Sequence, residues 1–257
     1  MAFTHLSERL ATLFVYVGEL SILTYQTIRE SFRRPFEGKA LMQQFEVIGV
    51  RSASIVFFTA LFIGMVLALQ TAYSLFNFGG KLFIGRVVSI SLVRELAPVL
   101  MALVVGARVG AGMTAEIGTM KVTEQIDALR ALATSPVRKL VVPKVLATTL
   151  MLPLLTTLAC AIGIFGGMMI AVFNLHLSAN FYFRSVVTAL RYNDLASGIG
   201  KTFFFGFVIA VLACHNGMRT TGGADGVGRA TTSTVVTSAI SVLVLDFFLT
   251  KLFLIVT

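Results

Sequence analysis

The stretch from Arg94 to Leu132, RELAPVLMALVVGARVGAGMTAEIGTMKVTEQIDALRAL, decides the fold of this chain. It begins with an Arg-Glu pair inside an apolar region, continues through small residues and ends in a segment that carries several acids. That order is typical of a helix that crosses a membrane and is followed by a short helix on the membrane surface. The stretch therefore predicts a membrane-spanning protein rather than a soluble domain.

The composition of the whole chain points the same way. Its 257 residues have a mean hydropathy of +0.89, with 56% hydrophobic and 13% charged residues. Soluble domains carry roughly 25% charged residues. The missing charge is concentrated in uncharged runs such as Ser52 to Gly80 and Val145 to Phe183. We therefore predict an all-α, polytopic integral membrane protein.

Five segments are long and apolar enough to cross a bilayer, which takes about 20 residues for a helix. They cover approximately residues 49–75, 85–112, 145–173, 194–215 and 232–255. A short turn from Asn77 to Lys81 separates the first two spans, and the Gly-rich stretch TTGGADGVGRATT is predicted to be a loop before the last. Residues 41–257 thus form one transmembrane domain.

Residues 1–40 are too charged to span and are predicted to form a separate N-terminal helix and connector. Apolar residues recur there at intervals of three and four, namely Leu6, Leu10, Leu13, Val17 and Leu20. Such a stripe indicates an amphipathic helix that packs on its own protein or lies in the membrane interface. We favour the interface because the basic connector SFRRPFEGK follows.

The distribution of basic residues predicts the orientation. With a cytoplasmic N-terminus, the inward segments hold fourteen Lys and Arg residues and the outward turns hold four. This bias follows the positive-inside rule and places the C-terminus on the opposite side of the membrane. It also explains the net charge of +9 better than nucleic-acid binding does, since no basic stretch is interleaved with stacking aromatic residues.

Charged residues inside the predicted spans form the first candidate site. They are Arg94, Glu95, Asp194, Lys201 and Asp246. Charges within a bilayer are costly, about 2.5–3.5 kcal/mol on insertion scales, and usually find partners or face a cavity. Adjacent residues on a helix point about 100° apart, so Arg94 and Glu95 are each expected to contact another span. The residues either pin helices together or line a polar cavity.

The connector after the second span is the other candidate site. Thr114 and Glu116 resemble the cap and first turn of a helix. An apolar stripe follows at Val122, Ile126, Leu129 and Leu132, with Glu124, Gln125 and Asp127 on other faces. Acids facing an anionic leaflet would be unfavourable. We therefore favour insertion of this helix into a groove on a cytoplasmic partner over contact with lipid.

Catalytic motifs are absent from the sequence. It contains no G-x-x-x-x-G-K-[ST] for nucleotide phosphates, no H-E-x-x-H and no G-x-S-x-G. The three histidines are scattered, and Cys160 and Cys214 lie apart within apolar runs. We predict no catalytic residue, no metal site and no bound cofactor, so the energy for any transport is expected to come from a partner.

Several motifs resemble the MlaE/YrbE family, the permease subunits of ABC transporters that move phospholipids together with MCE-domain proteins. They are FIGMVLALQ (62–70), RELAP (94–98), TAEIGTM (114–120), TEQIDAL (123–129), ATT (230–232) and LDF (245–247). The resemblance extends from about residue 40 to the C-terminus. The run TAEIGTMKVTEQIDAL is long enough to be specific.

The resemblance implies a homodimer that holds a phospholipid between its two copies. Its partners would be two cytoplasmic ATPase subunits, which bind ATP and Mg, a small STAS-domain protein and a hexamer of MCE-domain proteins. The location would be the inner membrane of a Gram-negative bacterium, with a periplasmic C-terminus. The role would be phospholipid movement between this membrane and the MCE protein, which maintains lipid asymmetry of the outer membrane.

The resemblance also assigns residues. It makes residues 114–132 the helix that couples to the ATPase, through Glu116, Met120, Glu124, Gln125, Asp127 and Leu129, and it makes the five intramembrane charges functionally sensitive. Two rival hypotheses remain open from the residues alone. One is a stand-alone secondary transporter with Glu95 and Asp246 as a proton relay, and the other is a structural anchor for an MCE ring.

Overall fold

The computed structural model describes residues 2–32, 37–74 and 83–256, with side chains from Phe14 to Ile255 within these ranges. Ten α-helices account for most of the described chain. They are α1 (Ala2–Ser31), α2 (Gly38–Ile48), α3 (Ala53–Ser74), α4 (Ile84–Ser91), α5 (Ala97–Val122), α6 (Gln125–Ala131), α7 (Val142–Phe173), α8 (Ala179–Ala189), α9 (Tyr192–Met218) and α10 (Gly223–Val256). The predicted turn from Asn77 to Lys81 lies outside the described residues.

Short segments of other helix types join some of these helices. A 3₁₀ turn, Val50–Ser52, connects α2 to α3. Two π-helical segments, Leu92–Leu96 and Val137–Val141, lead directly into α5 and α7. Each precedes a helix with proline in its first turn. Proline removes an N–H and its ring collides with the carbonyl four residues earlier, so a wider turn accommodates it.

Five of the resulting continuous helices are long and apolar enough to cross a membrane. They cover Gly38–Ser74, Ile84–Val122, Val137–Phe173, Tyr192–Met218 and Gly223–Ile255. The described part of the chain contains no strand. The predicted all-α, polytopic fold with five spans is therefore confirmed, and the helices extend beyond the predicted spans at several ends.

The predicted helix start at Thr114 is wrong. Helix α5 continues without a break to Val122, and Thr114 lies buried in its interior. Its hydroxyl donates a hydrogen bond of 3.0 Å to the Ala213 carbonyl and lies 2.9 Å from Thr234 Oγ1. The small residues around it suggested the end of a span, but they allow close packing of α5 against α9 and α10.

The predicted Gly-rich loop is also shorter than expected. Helix α10 begins at Gly223, so most of the stretch TTGGADGVGRATT is helical. The turn itself uses Gly222 and Gly223, which have φ angles of +87° and +66°. Only glycine adopts such angles without steric cost. Gly226 then packs directly on the Thr221 carbonyl, where a Cβ atom would collide.

Helices α3 and α7 pack closely through small residues. A Cβ atom on Gly64 would overlap the Gly163 carbonyl, and one on Gly166 would meet the Leu61 carbonyl at 2.5 Å. In a bilayer, such close backbone approach gives van der Waals contact that replaces the hydrophobic driving force available in water. Large apolar side chains of α3, such as Phe58 and Phe62, point outwards and are exposed, as expected for contact with lipid.

The N-terminal helix α1 contacts the bundle at the C-terminal end of α9. Tyr16 Oη donates a hydrogen bond of 3.1 Å to Asn216, and Glu19 lies 3.1 Å from the Arg219 guanidinium. On its other faces α1 exposes apolar side chains, with Phe14 74% and Tyr25 66% accessible. A location in the membrane interface remains a prediction that suits these exposed residues.

We expect Gly64→Ala to lower the free energy of unfolding by about 1–3 kcal/mol, because overpacking of a tight contact forces the backbones apart. The measurement is reversible unfolding of the purified protein in mixed detergent micelles. Gly112→Ala is the matched control, since Gly112 is also helical but exposed, with no atom within 4 Å of its added Cβ. Equal stability of the two variants would contradict the α3–α7 contact.

Candidate functional site

The candidate site is a cluster of charged side chains from the second, fourth and fifth spans, centred on Lys201 of α9. This side chain is 2% exposed. Its Nζ atom lies 2.8 Å from Glu95 Oε2, 3.2 Å from Asp246 Oδ1 and 2.6 Å from Thr250 Oγ1. A buried ammonium group needs such partners, because its desolvation otherwise costs several kcal/mol.

A backbone carbonyl freed by proline provides a further contact for Lys201. Pro98 cannot donate to the Arg94 carbonyl four residues earlier, as a regular α-helix would require. Lys201 Nζ lies 3.3 Å from that oxygen. Gly198, one turn before Lys201, permits this approach, since a Cβ there would overlap the Val93 carbonyl. The sequence Arg-Glu-Leu-Ala-Pro thus builds both an irregular helix and an acceptor for the buried cation.

Arg94 and Asp194 form the second ion pair of the cluster. Arg94 Nε donates a hydrogen bond of 2.6 Å to Asp194 Oδ1, and the terminal guanidinium nitrogen contacts the same oxygen. Asp194 Oδ2 accepts a bond of 2.9 Å from the Arg191 backbone N–H at the start of α9. A carboxylate at a helix N-terminus is stabilised by the helix dipole. Asp194 therefore joins the first turn of α9 to the π-helical segment before α5.

One side of the cluster faces a cavity of ≈ 430 Å³. The side chains of Arg94 and Glu95 are 45% and 42% exposed, whereas those of Asp194 and Lys201 are 2% exposed. Ile90, Phe253 and Leu254 also line this space. The cavity therefore presents a cation and an acid beside apolar side chains, an arrangement suited to a molecule with both a charged group and apolar chains.

The five intramembrane charges singled out in the sequence thus lie together. Arg94 pairs with Asp194, while Glu95 and Asp246 share Lys201. Thr250 was not anticipated from the sequence, although it contacts Lys201 and lies 3.3 Å from Glu95 Oε1. Its spacing of four residues from Asp246 puts both on one face of α10, which is the signal that could have revealed it.

The connector residues singled out in the sequence lie at the opposite end of α5, in two different elements. Glu116 and Met120 belong to the last two turns of α5. Glu116 is half exposed and lies 2.6 Å from Lys144 Nζ of α7, whose side chain is 3% exposed. Met120 is partly buried against the core. The ion pair between Glu116 and Lys144 was not predicted from the sequence, because its members lie on different helices.

The remaining connector residues belong to a sharp turn and the short helix α6. Glu124 has a φ angle of +60° and starts the turn, after which Gln125 and Asp127 are exposed and Leu129 is half buried. Ile126 is fully buried and anchors α6 to the bundle. The single amphipathic helix predicted for residues 114–132 is therefore divided between α5 and α6.

Asp127 is held in place by charged neighbours within the connector. Lys121 Nζ lies 2.9 Å and Arg130 Nη1 3.0 Å from its two carboxylate oxygens. The hydrogen bond from Lys121 is the main cause that lowers the pKa of Asp127 below its ordinary value. The carboxylate is consequently ionised at neutral pH. Glu124, in contrast, is exposed in the turn that precedes α6.

Comparisons with known proteins find permeases of ABC transporters. The chain is 40% identical over 248 residues to a probable ABC transporter permease protein of Rickettsia bellii, covering 96% of each chain. It is 41% identical over 230 residues to a probable ABC transporter permease protein of Synechocystis, covering 90% of this chain and 88% of that protein.

A plant protein is also similar. The chain is 35% identical over 232 residues to protein TRIGALACTOSYLDIACYLGLYCEROL 1, chloroplastic, of Arabidopsis thaliana, covering 90% of this chain and 66% of that protein. The sequence model of the family described as Permease MlaE matches residues 41–252, which include both the charge cluster and the connector. The chain therefore belongs to the MlaE permease family.

Proposed function

We propose that this chain is the membrane subunit of an ABC transporter and moves phospholipid through the cavity beside its intramembrane charge cluster. The observation that carries the proposal is the partly exposed Arg94–Glu95 pair, which borders a cavity that also has apolar walls. A phospholipid has the matching chemistry, with a charged headgroup and apolar chains. Family membership and the names of the relatives support the transporter class.

A second copy of the chain would complete the cavity. Helix α10 forms one wall of the cavity and has the smallest fraction of buried residues of the five spans. The exposed side chains of α10 include Phe247 and Phe248. Asp246 lies next to this exposed pair and contributes to the charge cluster. A homodimer through this face would enclose the lipid between two charge clusters.

Helix α5 supplies a direct mechanical link between the two sites. Its 26 residues span about 39 Å at 1.5 Å per residue. The π-helical segment with Arg94 and Glu95 leads into one end, while Glu124 and α6 follow the other. We infer that a cytoplasmic ATPase binds the exposed residues of α6 and its preceding turn. Movement there would displace α5 and rearrange the charge cluster.

The resemblance to the family extends the proposal to partners and location. The ATPase subunit would hold ATP and Mg, while a STAS-domain subunit and an MCE-domain hexamer would complete the assembly. The chain would lie in the inner membrane of a Gram-negative bacterium, with a cytoplasmic N-terminus and a periplasmic C-terminus. Phospholipid movement between this membrane and the MCE protein would then maintain the asymmetry of the outer membrane.

The charge cluster is expected to act in transport rather than only in folding. Lys201→Met should unfold or strongly destabilise the protein, because it leaves Glu95 and Asp246 facing each other without a cation; breaking a buried pair costs about 3–5 kcal/mol. The triple variant Glu95→Gln, Lys201→Met, Asp246→Asn removes this repulsion and should restore folding. It should nevertheless lose at least about tenfold in ATP-driven phospholipid transfer, which corresponds to about 1.4 kcal/mol.

The measurement is transfer of a fluorescent phospholipid by the complete transporter in proteoliposomes, together with thermal unfolding of each variant. Lys251→Met is the matched control, because Lys251 is an exposed lysine in the same helix as Asp246. Wild-type transfer by a well-folded triple variant would show that the cluster only pins helices together. Transfer driven by a pH gradient without ATP would instead support a proton relay through Glu95 and Asp246.

The connector is expected to couple ATP hydrolysis to transport. The double variant Glu124→Lys, Asp127→Lys should reduce lipid-stimulated ATP hydrolysis by the complete transporter at least about tenfold, since losing or reversing charge pairs at an interface typically costs more than 1.4 kcal/mol. The measurement is phosphate release with and without phospholipid, alongside co-purification of the ATPase subunit.

Glu46→Lys with Asp225→Lys is the control for this experiment, because both acids are exposed and lie outside the connector. It changes the net charge by the same amount. Unchanged stimulation in the connector variant would contradict the coupling role, as would an equal loss of stimulation in the control.

A further inference from the structure

A second cavity lies between the first turn of α4 and helix α8, separate from the cavity beside the charge cluster. It has a volume of ≈ 360 Å³ and is lined by Phe83, Arg86, Phe181, Arg184, Ser185 and Thr188. Close packing brings these segments together, since a Cβ on Gly85 would lie 3.0 Å from the Tyr182 carbonyl and 3.1 Å from Ser185 Cβ. Arg86 and Arg184 are adjacent in sequence to the residues of this contact, and both line the cavity.

The charge of this cavity is unbalanced. No acidic residue lines it, and among the described residues neither arginine has a carboxylate partner within salt-bridge distance. In the charge cluster, by comparison, Arg94 and Lys201 both contact carboxylates. Two uncompensated guanidinium groups around one cavity attract an anion, and their planar donors match the oxygens of a phosphate group. The hydroxyls of Ser185 and Thr188 lie beside them.

The surroundings of the cavity are apolar and exposed. Phe83 is 54% and Phe181 39% accessible, and the neighbouring Phe183 and Val187 of α8 are 60% and 59% accessible. The cavity lies where the second candidate span begins and where α8 leads into the fourth. Arginine and aromatic residues at a span terminus are typical of the boundary between headgroups and acyl chains. The bound molecule is therefore expected to carry a phosphate and apolar chains.

We propose that this cavity, which we call the Arg86–Arg184 site, binds the headgroup of an anionic phospholipid from the adjacent membrane leaflet. The two arginines bind the phosphate, while Phe83 and Phe181 contact the beginning of the acyl chains. The site differs from the transport cavity in its residues and in that no acid is among the described residues that line it, whereas Glu95 and Asp194 line the transport cavity. It selects anionic lipid next to the transporter, and its occupancy does not depend on ATP.

The test measures binding of phosphatidylglycerol and phosphatidylcholine to the purified transporter by native mass spectrometry, without nucleotide. The double variant Arg86→Gln, Arg184→Gln should weaken at least tenfold the phosphatidylglycerol binding that exceeds phosphatidylcholine binding. It should leave phosphatidylcholine binding, which belongs to the transport cavity, unchanged. The control Lys139→Gln, Arg229→Gln removes the same charge at two exposed positions elsewhere and should bind both lipids like the wild type. Thermal unfolding checks that both variants are folded, as expected for substitutions of exposed side chains.

Three results would overturn the proposal. The first is wild-type affinity for phosphatidylglycerol in the double variant. The second is displacement of the lipid by an equal concentration of inorganic phosphate, which would assign the site to a free anion. The third is unchanged lipid binding with loss of an acidic accessory protein from the complex, which would assign the arginines to protein contact. Because no ATP is used, failure here leaves the proposed transport function separately testable.

Discussion

The contacts of Lys201 are the constraint on which the packing of the helices around the charge cluster depends. An ammonium group 2% exposed inside an apolar bundle is tolerated only with several polar partners. Glu95 provides one from the π-helical segment before α5, and Asp246 and Thr250 provide two from α10. Because these partners come from the second and fifth spans and Lys201 comes from the fourth, the contacts of one cation fix the register of three spans relative to one another.

Pro98 extends this constraint to the backbone. Regular α-helical geometry would bring its ring against the Arg94 carbonyl, so rewinding the π-helical segment into an α-helix is unfavourable. That segment instead keeps the carbonyl available to Lys201. Motion of the cluster is therefore more readily achieved by displacing α5 as a rigid body than by unwinding or rewinding the helix that carries Arg94 and Glu95.

The sequence predicted the number of spans and the charged residues of the candidate site because both depend on local information. A run of apolar residues must cross the bilayer, and a charge within it must find a partner. The sequence did not predict where α5 ends or that Thr114 is buried. These depend on whether small residues such as Gly118 face a neighbouring helix or solvent. In α5 Gly118 faces Thr220, so the spanning helix continues where the sequence suggested that a separate helix begins.

The two ends of α5 also differ in the ionic contacts that stabilise them, and this difference suits them to different roles. At the cluster end, buried ionic contacts reach α9 and α10. At the connector end, Asp127 is bound only by its neighbours Lys121 and Arg130, and exposed pairs of this kind contribute little stability. A partner can therefore exchange these exposed pairs at small cost, whereas the buried Ile126 keeps α6 attached to the bundle. The tightly held cluster, however, changes only when the force is sufficient to move whole helices. A continuous helix that is anchored at both ends transmits a movement of the connector to the cavity and does not absorb it locally.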